Sequence, residues 1–87
     1  MAHPEFPQPA PEFPEPVEIL DAGDLGCGEL LARFPPIFRR LAPGDVFGLI
    51  NTDAGTPADL PAWCRMAGHE YLGVRPGDRP MYFVRKR

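Results

Sequence analysis

The stretch Leu25-Gly26-Cys27-Gly28-Glu29-Leu30-Leu31 decides the fold, because a strand pattern ends before it and a helix pattern begins within it. Residues 17–22 read as a strand, although their alternation of apolar and polar side chains is imperfect. Beyond it, apolar side chains recur at the spacing of one buried helix face. These side chains are Leu30, Leu31, Phe34, Ile37, Phe38 and Leu41. Cys27 is therefore expected where a strand-to-helix loop ends and a helix begins.

Cys27 is the main candidate for chemistry. A helix start favours a thiolate, because its backbone N–H groups are unpaired and the helix dipole is positive there. Gly28 and Glu29 belong to this predicted helix start. We therefore expect an accessible Cys27 with a pKa below the free-cysteine value of about 8.5. The lowering should be moderate, because no basic residue is close in sequence and Glu29 would oppose ionisation if it approached the sulfur. The local sequence leaves a second interpretation open, a small apolar residue in a loop.

Two adjacent prolines, Pro35 and Pro36, interrupt the helix predicted over residues 28–41. A proline inside a helix removes an i to i−4 hydrogen bond and costs about 3 kcal/mol. We expect a kink, or two short helices that meet near Phe34. Both parts should face the same core, because the apolar periodicity continues past the prolines.

The rest of the sequence predicts three further strands and one further helix. The strands are expected over residues 46–50, 69–75 and 81–85. The helix should begin with Thr56 as its N-cap and end before Gly68. This β-α-β-α-β-β order predicts an α/β fold, more narrowly an α+β two-layer sandwich, with two helices on one face of a four-stranded mixed sheet.

Residues 1–16 form a separate proline-rich tail, in which Pro-Glu-Phe-Pro occurs at residues 4–7 and again at 11–14. Polyproline II or disorder is expected there, and a folded domain over residues 17–87. A solvated extension is favoured over a docking segment for a proline-binding module. The formal net charge of −3 comes from the glutamates of this tail, and the acids and bases of the remaining chain balance. A dedicated nucleic-acid surface is not expected, because such a domain would be basic.

The second cysteine, Cys64, falls on the apolar side of the second predicted helix. A buried core cysteine is favoured, and the alternative is a resolving thiol that pairs with Cys27 under oxidation. A secreted disulfide scaffold would have more cysteines, and no signal peptide or membrane-spanning stretch is visible, so the cytoplasm is expected. Two cysteines and two histidines at these spacings match no zinc pattern, so no metal site is expected. No cofactor is expected either.

Five stretches of residues 17–87 together resemble the TusA/SirA-type sulfur-carrier family. They are Leu20-Asp21-Ala22 with Leu25-Gly26-Cys27, Pro43-Gly44-Asp45, Asn51-Thr52-Asp53-Ala54-Gly55, Asp59-Leu60-Pro61-Ala62-Trp63-Cys64-Arg65, and Gly68-His69-Glu70. The last two look like the family signature D-I-P-x-F-C…G-H-E. One departure concerns the family hallmark Cys-Pro-x-Pro, which reads Cys27-Gly28-Glu29-Leu30 here, without either proline.

The resemblance implies a persulfide carrier rather than a turnover enzyme, with the sulfur carried on Cys27. It also implies a sulfur-donor protein of the cysteine desulfurase or rhodanese type and a sulfur-acceptor protein. A monomer is expected, although the sequence does not determine the oligomeric state. In the family such a relay serves tRNA thiolation, cofactor assembly or sulfur oxidation. The missing prolines leave an alternative open, a non-catalytic binding or regulatory module of the same fold that has lost carrier activity.

Overall fold

The structure, a computed structural model, describes residues 13–87. Within them the chain forms four strands and three helical segments. In chain order these are β1 (Glu18–Asp21), α1 (Cys27–Ala32), α2 (Phe34–Arg40), β2 (Val46–Ile50), α3 (Thr56–Ala67), β3 (Glu70–Arg75) and β4 (Met81–Arg85). No helix of the described residues is long and apolar enough to cross a membrane.

The four strands form one mixed sheet in the order β1-β2-β4-β3. β1 and β2 run parallel, because the helical crossover of α1 and α2 connects them. β4 runs antiparallel to both of its neighbours, and residues 76–80 form the hairpin loop that joins it to β3. The predicted fold class, a two-layer sandwich with helices on one face of a four-stranded mixed sheet, is confirmed.

The predicted break in the first helix is also confirmed. α1 ends at Ala32, Arg33 lies between the two segments, and α2 begins at Phe34. Pro35 and Pro36 therefore occupy the first turn of α2, where backbone N–H groups have no partner within the helix. The chain accommodates both prolines by starting a new helix at this point.

Aromatic side chains fill the space between the helices and the sheet. Phe34 lies edge-on to Phe47 of β2 and to Trp63 of α3, with ring centroids 5.7 and 4.9 Å apart. The sequence predicts that Leu41, Leu60 and Val74 lie mostly in the core. Leu41 and Leu60 are buried, as predicted. The prediction for Val74 was wrong, because Val74 lies on the edge strand β3 and is 36% exposed.

Residues 13–16 lie on the face of the sheet opposite α1, α2 and α3. The ring of Phe13 stacks on the ring of Phe83, with centroids 4.3 Å apart. The backbone N–H of Val17 then donates a hydrogen bond of 2.8 Å to the carbonyl oxygen of Val46, next to β1. This part of the predicted tail thus packs against the domain, and the rest of it, residues 1–12, lies outside the described residues.

Candidate functional site

Cys27 is the first residue of α1, at the end of the loop that leads from β1, as the sequence predicts. Gly26 is the N-cap residue, and its carbonyl oxygen accepts a hydrogen bond of 2.9 Å from the N–H of Leu30. The thiol of Cys27 is partly buried and is not in a disulfide. Cys27 therefore keeps access to solvent while its backbone is held by the first helical turn.

Asn51 fixes the loop that carries Cys27. Its side chain is fully buried directly after β2, and its amide nitrogen donates hydrogen bonds of 3.1 Å to the carbonyl oxygens of Gly23 and Leu25. The N–H of Thr52 also donates to Gly23, at 2.8 Å. These bonds tie the loop to the end of β2, so the position of Cys27 is set by the sheet.

The oxygen of the same amide organises the start of α3. It accepts a hydrogen bond of 3.2 Å from the N–H of Asp53 and another from the hydroxyl of Thr56. The prediction that Thr56 caps α3 was wrong. Gly55 is the N-cap, and Thr56 is the buried first residue of the helix, because its hydroxyl is bonded to Asn51 instead of to the helix backbone.

Two acidic residues stand near the thiol, both contributed by the chain around the start of α3. Burial, a hydrogen bond with the carboxylate of Asp59, and the negative charges of Asp59 and Asp53 raise the pKa of Cys27 to about 11. The hydroxyl of Thr56 acts in the opposite direction, since its hydrogen bond lowers the pKa. At neutral pH the resting side chain is therefore overwhelmingly a thiol.

The predicted lowering of the Cys27 pKa was therefore wrong. Burial of the sulfur disfavours the charged thiolate most, and the carboxylates beside it act in the same direction. α1 is only six residues long, so its dipole opposes them weakly. Sequence reasoning missed Asp53 and Asp59 as electrostatic neighbours because they lie far along the chain. Asn51 was missed as well, although a polar residue directly after an apolar central strand is a usable signal.

Gly28 and Glu29 occupy the first turn of α1, as predicted, and both are exposed. Glu29 pairs with Arg33 of the next turn, with nitrogen and oxygen 3.4 Å apart. The groups that raise the pKa of Cys27 are those around α3, and Glu29 is not among them. A Cβ atom at Gly28 would contact nothing within 4 Å, so this position has room for a side chain.

Cys64 is fully buried in α3, as predicted, and burial raises the pKa of its thiol to about 11. It is not in a disulfide. To act as a resolving thiol for Cys27, it would have to leave the core. The described residues contain no cluster of three or more histidine, cysteine, aspartate or glutamate side chains that could hold a metal ion.

Basic side chains of the β3–β4 hairpin and the C-terminus are engaged with the rest of the domain. Arg79 pairs with Asp21 at the end of β1, and Arg85 pairs with Glu70 across the hairpin. The ammonium group of Lys86 donates hydrogen bonds to the carbonyl oxygens at the end of α2. The two ion pairs thus join parts of the sheet, and the Lys86 hydrogen bonds join its C-terminal end to the helix layer.

Comparison with known proteins finds sulfur carriers. The putative sulfur carrier protein YrkF of Bacillus subtilis (strain 168) is 38% identical over 69 residues, which are 78% of this chain and 37% of YrkF. The sulfur carrier protein TusA of Pseudomonas entomophila (strain L48) is 38% identical over 69 residues, covering 78% of this chain and 86% of that protein. TusA of Pseudomonas putida (strain W619) is 36% identical over 73 residues, covering 83% and 91%. No protein-family model matches the chain.

Proposed function

The chain belongs to the TusA family of sulfur carriers, and on that premise we propose that it relays persulfide sulfur on Cys27 between a donor protein and an acceptor protein. The observation that carries this proposal is the contrast between the two cysteines. Cys27 is solvent-accessible on a loop anchored by Asn51, whereas Cys64 is fully buried. Such a relay needs an exposed sulfur and a docking surface, and it needs no deep cavity.

The transfer is a thiol exchange at the outer sulfur of a persulfide. The thiolate of Cys27 attacks the outer sulfur of a donor Cys–S–SH, a new S–S bond forms on Cys27, and the donor cysteine leaves as a thiolate. An acceptor thiolate then attacks the outer sulfur of Cys27–S–SH, and Cys27 leaves in the same way. Each step exchanges one S–S bond for another, so the relay requires no net oxidant or reductant.

Asp53 and Asp59 indicate which side chains a donor protein must place beside Cys27. With a pKa of about 11, Cys27 offers little thiolate at rest, because burial raises the pKa and the carboxylates of Asp59 and Asp53 raise it further. A donor that places a lysine or arginine beside these carboxylates would offset their charge and favour the thiolate. We therefore expect the thiol to become reactive chiefly within the donor complex. A reducing compartment such as the cytoplasm suits this chemistry, because Cys27 must remain a free thiol.

Two observations favour a second candidate function, a binding or regulatory module without carrier activity. The sequence lacks both prolines of the family hallmark, and the pKa of Cys27 is raised instead of lowered. A protein of this kind would keep the fold and the docking surface while the thiol stays unloaded.

Persulfide loading separates the two functions. The protein is incubated with a cysteine desulfurase and cysteine, and its intact mass is measured under non-reducing conditions. We expect the mass of one added sulfur atom in the wild-type protein and in Cys64→Ser, and none in Cys27→Ser. An unloaded wild-type protein, tested with both desulfurase and rhodanese donors, would assign the non-carrier role. Capture of the acceptor on the loaded form would then distinguish tRNA thiolation, cofactor assembly and sulfur oxidation.

A further inference from the structure

Within residues 13–87 all three helices pack on one face of the sheet, and the opposite face, the helix-free face, contains a slot whose floor is an aromatic ring. Phe83 of β4 points to this face, because its neighbours Tyr82 and Val84 lie in the core on the helix side. Gly48 of β2 and Gly73 of β3 are its partners on the two flanking strands. A bulge in β3 brings Gly73 opposite Phe83. The ring therefore lies between two residues without side chains.

The N-terminal segment of the chain fills this slot. The rings of Phe13 and Phe83 stack with an interplanar angle of 9°. Pro16 lies on Gly48, so close that a Cβ atom added to this glycine would be 3.1 Å from the Pro16 ring. Phe83 is fully buried as a result, although α1, α2 and α3 lie on the other side of the sheet.

This packing requires glycine at positions 48 and 73. A Cβ atom at Gly73 would lie 2.9 Å from the ring of Phe13, a distance that side chains do not tolerate. Gly73 also has a φ of 139°, which favours glycine. On the opposite strand a side chain at Gly48 would press against Pro16. The slot is thus shaped for a phenylalanine and, three residues later, a proline.

The sequence contains this ligand twice. Residues 11–16 read Pro-Glu-Phe-Pro-Glu-Pro, and residues 4–9 read Pro-Glu-Phe-Pro-Gln-Pro. The two copies differ only where Glu15 corresponds to Gln8, and Glu15 is exposed. We propose that the helix-free face is a binding site for Phe-Pro-x-Pro segments, that residues 13–16 are its resident ligand, and that residues 6–9 of the same chain are a second ligand for the same slot.

The geometry of the chain permits the exchange. When residues 6–9 occupy the slot, residues 10–16 must leave the sheet and return to Val17 as a loop. The entropic cost of closing such a loop grows slowly with its length, and a tethered ligand competes at an effective concentration of the order of mM. A segment of the same chain should therefore exclude the segment of another molecule. Because the sequence contains two copies of the segment and the described residues form one such slot, only one copy can occupy it at a time.

Proton NMR of the full-length protein measures the occupancy directly. A ring stacked on Phe83 shifts the Phe83 ring protons upfield, and the methyl groups of Val84 report independently whether the core is intact. We expect Phe13→Ala to keep most of the Phe83 upfield shift, because Phe6 replaces Phe13. Phe6→Ala should leave the shift unchanged, and the double variant should lose it. Equal loss in Phe13→Ala and in the double variant would overturn the proposal.

Two further experiments identify the ligand that occupies the slot. The peptide of residues 4–9 is added to the double variant Phe6→Ala/Phe13→Ala, and we expect saturable recovery of the upfield shift. The same peptide with alanine in place of phenylalanine should give none, and failure of the first peptide would contradict the proposed site. In Phe13→Ala the shift should not depend on protein concentration, since a dependence would assign the second ligand to another molecule. If Phe13→Ala perturbs the Val84 methyl groups, Phe13→Leu retains an apolar cover without a ring and decides the same question.

Discussion

The buried side-chain amide of Asn51 donates a hydrogen bond of 3.1 Å to the carbonyl oxygen of Leu25, just before the candidate sulfur-bearing residue Cys27. The same side chain bonds the start of α3, which carries the carboxylate that faces the thiol. One residue at the end of β2 therefore sets both the position of the thiol and the position of its acidic neighbour.

Replacing Asn51 with alanine should destabilise the domain and loosen the loop of Cys27. The change leaves the carbonyl oxygen of Leu25 and the buried hydroxyl of Thr56 without the Asn51 amide, which costs about 1–3 kcal/mol, whereas Gly23 keeps the N–H of Thr52. Urea unfolding measures the loss. Thr52→Ala is the matched control, because Thr52 is exposed and its hydroxyl makes one bond of 3.2 Å to Gly23. Equal losses in the two variants would contradict the anchoring role of Asn51.

Replacing Asp59 with asparagine should lower the pKa of Cys27 from its value of about 11. The carboxylate favours the protonated thiol through its hydrogen bond and its charge, so its removal increases the thiolate fraction at neutral pH. We expect alkylation at pH 7.5 to accelerate about tenfold, the effect of a pKa lowered by one. The pH dependence of the iodoacetamide rate measures this. Glu29→Gln is the control, because Glu29 pairs with Arg33, and a similar acceleration there would argue against Asp59.

Stability should fall on the alkaline side of neutrality. The pKa of buried Cys64 is raised to about 11, so folding favours the protonated thiol. This contribution is complete below the ordinary cysteine pKa near 9.0 and is lost as the pH rises towards 11. Urea unfolding between pH 8 and 11 should show a smaller decline in Cys64→Ala than in the wild-type protein. A residual decline is expected, because the pKa values of Cys27, Tyr71 and Tyr82 are also raised, and identical slopes would contradict the assignment.

Restoring the prolines of the family hallmark should have unequal effects at its two positions. Gly28→Pro should be tolerated, because Pro35 and Pro57 occupy the same second position of α2 and α3. Leu30→Pro should destabilise by about 3 kcal/mol or more, because Leu30 is fully buried and its N–H bonds to Gly26.

Thermal unfolding of the two proline variants measures the difference, and similar melting temperatures would contradict it. If persulfide loading required Gly28→Pro, the natural protein would be a non-carrier relative.

Replacing Trp63 with alanine should cost about 3 kcal/mol, the lower end of the range for large aromatic residues in cores. Its ring contacts Phe34 and Phe38 edge-on, with centroids 4.9 and 5.3 Å apart, although part of the side chain reaches the surface. Urea unfolding measures the loss, with exposed Met66→Ala as the control in the same helix. A loss below about 1 kcal/mol would indicate that Trp63 is a partner contact instead of a core residue.

The sequence by itself determined what depends on neighbours along the chain. Apolar spacing predicted the order of strands and helices, Pro35 and Pro36 predicted the division of the first helix, and Gly68 predicted the end of α3. The place of Cys27 at a helix start also followed from local pattern. These features are local because each rests on hydrogen bonds and side-chain faces within a few residues.

Only the tertiary structure decided what surrounds the thiol and what covers the sheet. Asp59 raises the pKa of Cys27 because the crossover topology brings α3 beside α1, and no pattern near Cys27 contains that information. Likewise, Phe13 reaches Phe83 only because two glycines on different strands leave the ring bare. Both outcomes depend on strand order and register, which bring together residues that are far apart in the chain. Local sequence patterns do not predict them, because electrostatic and packing interactions depend on distance in space and not along the sequence.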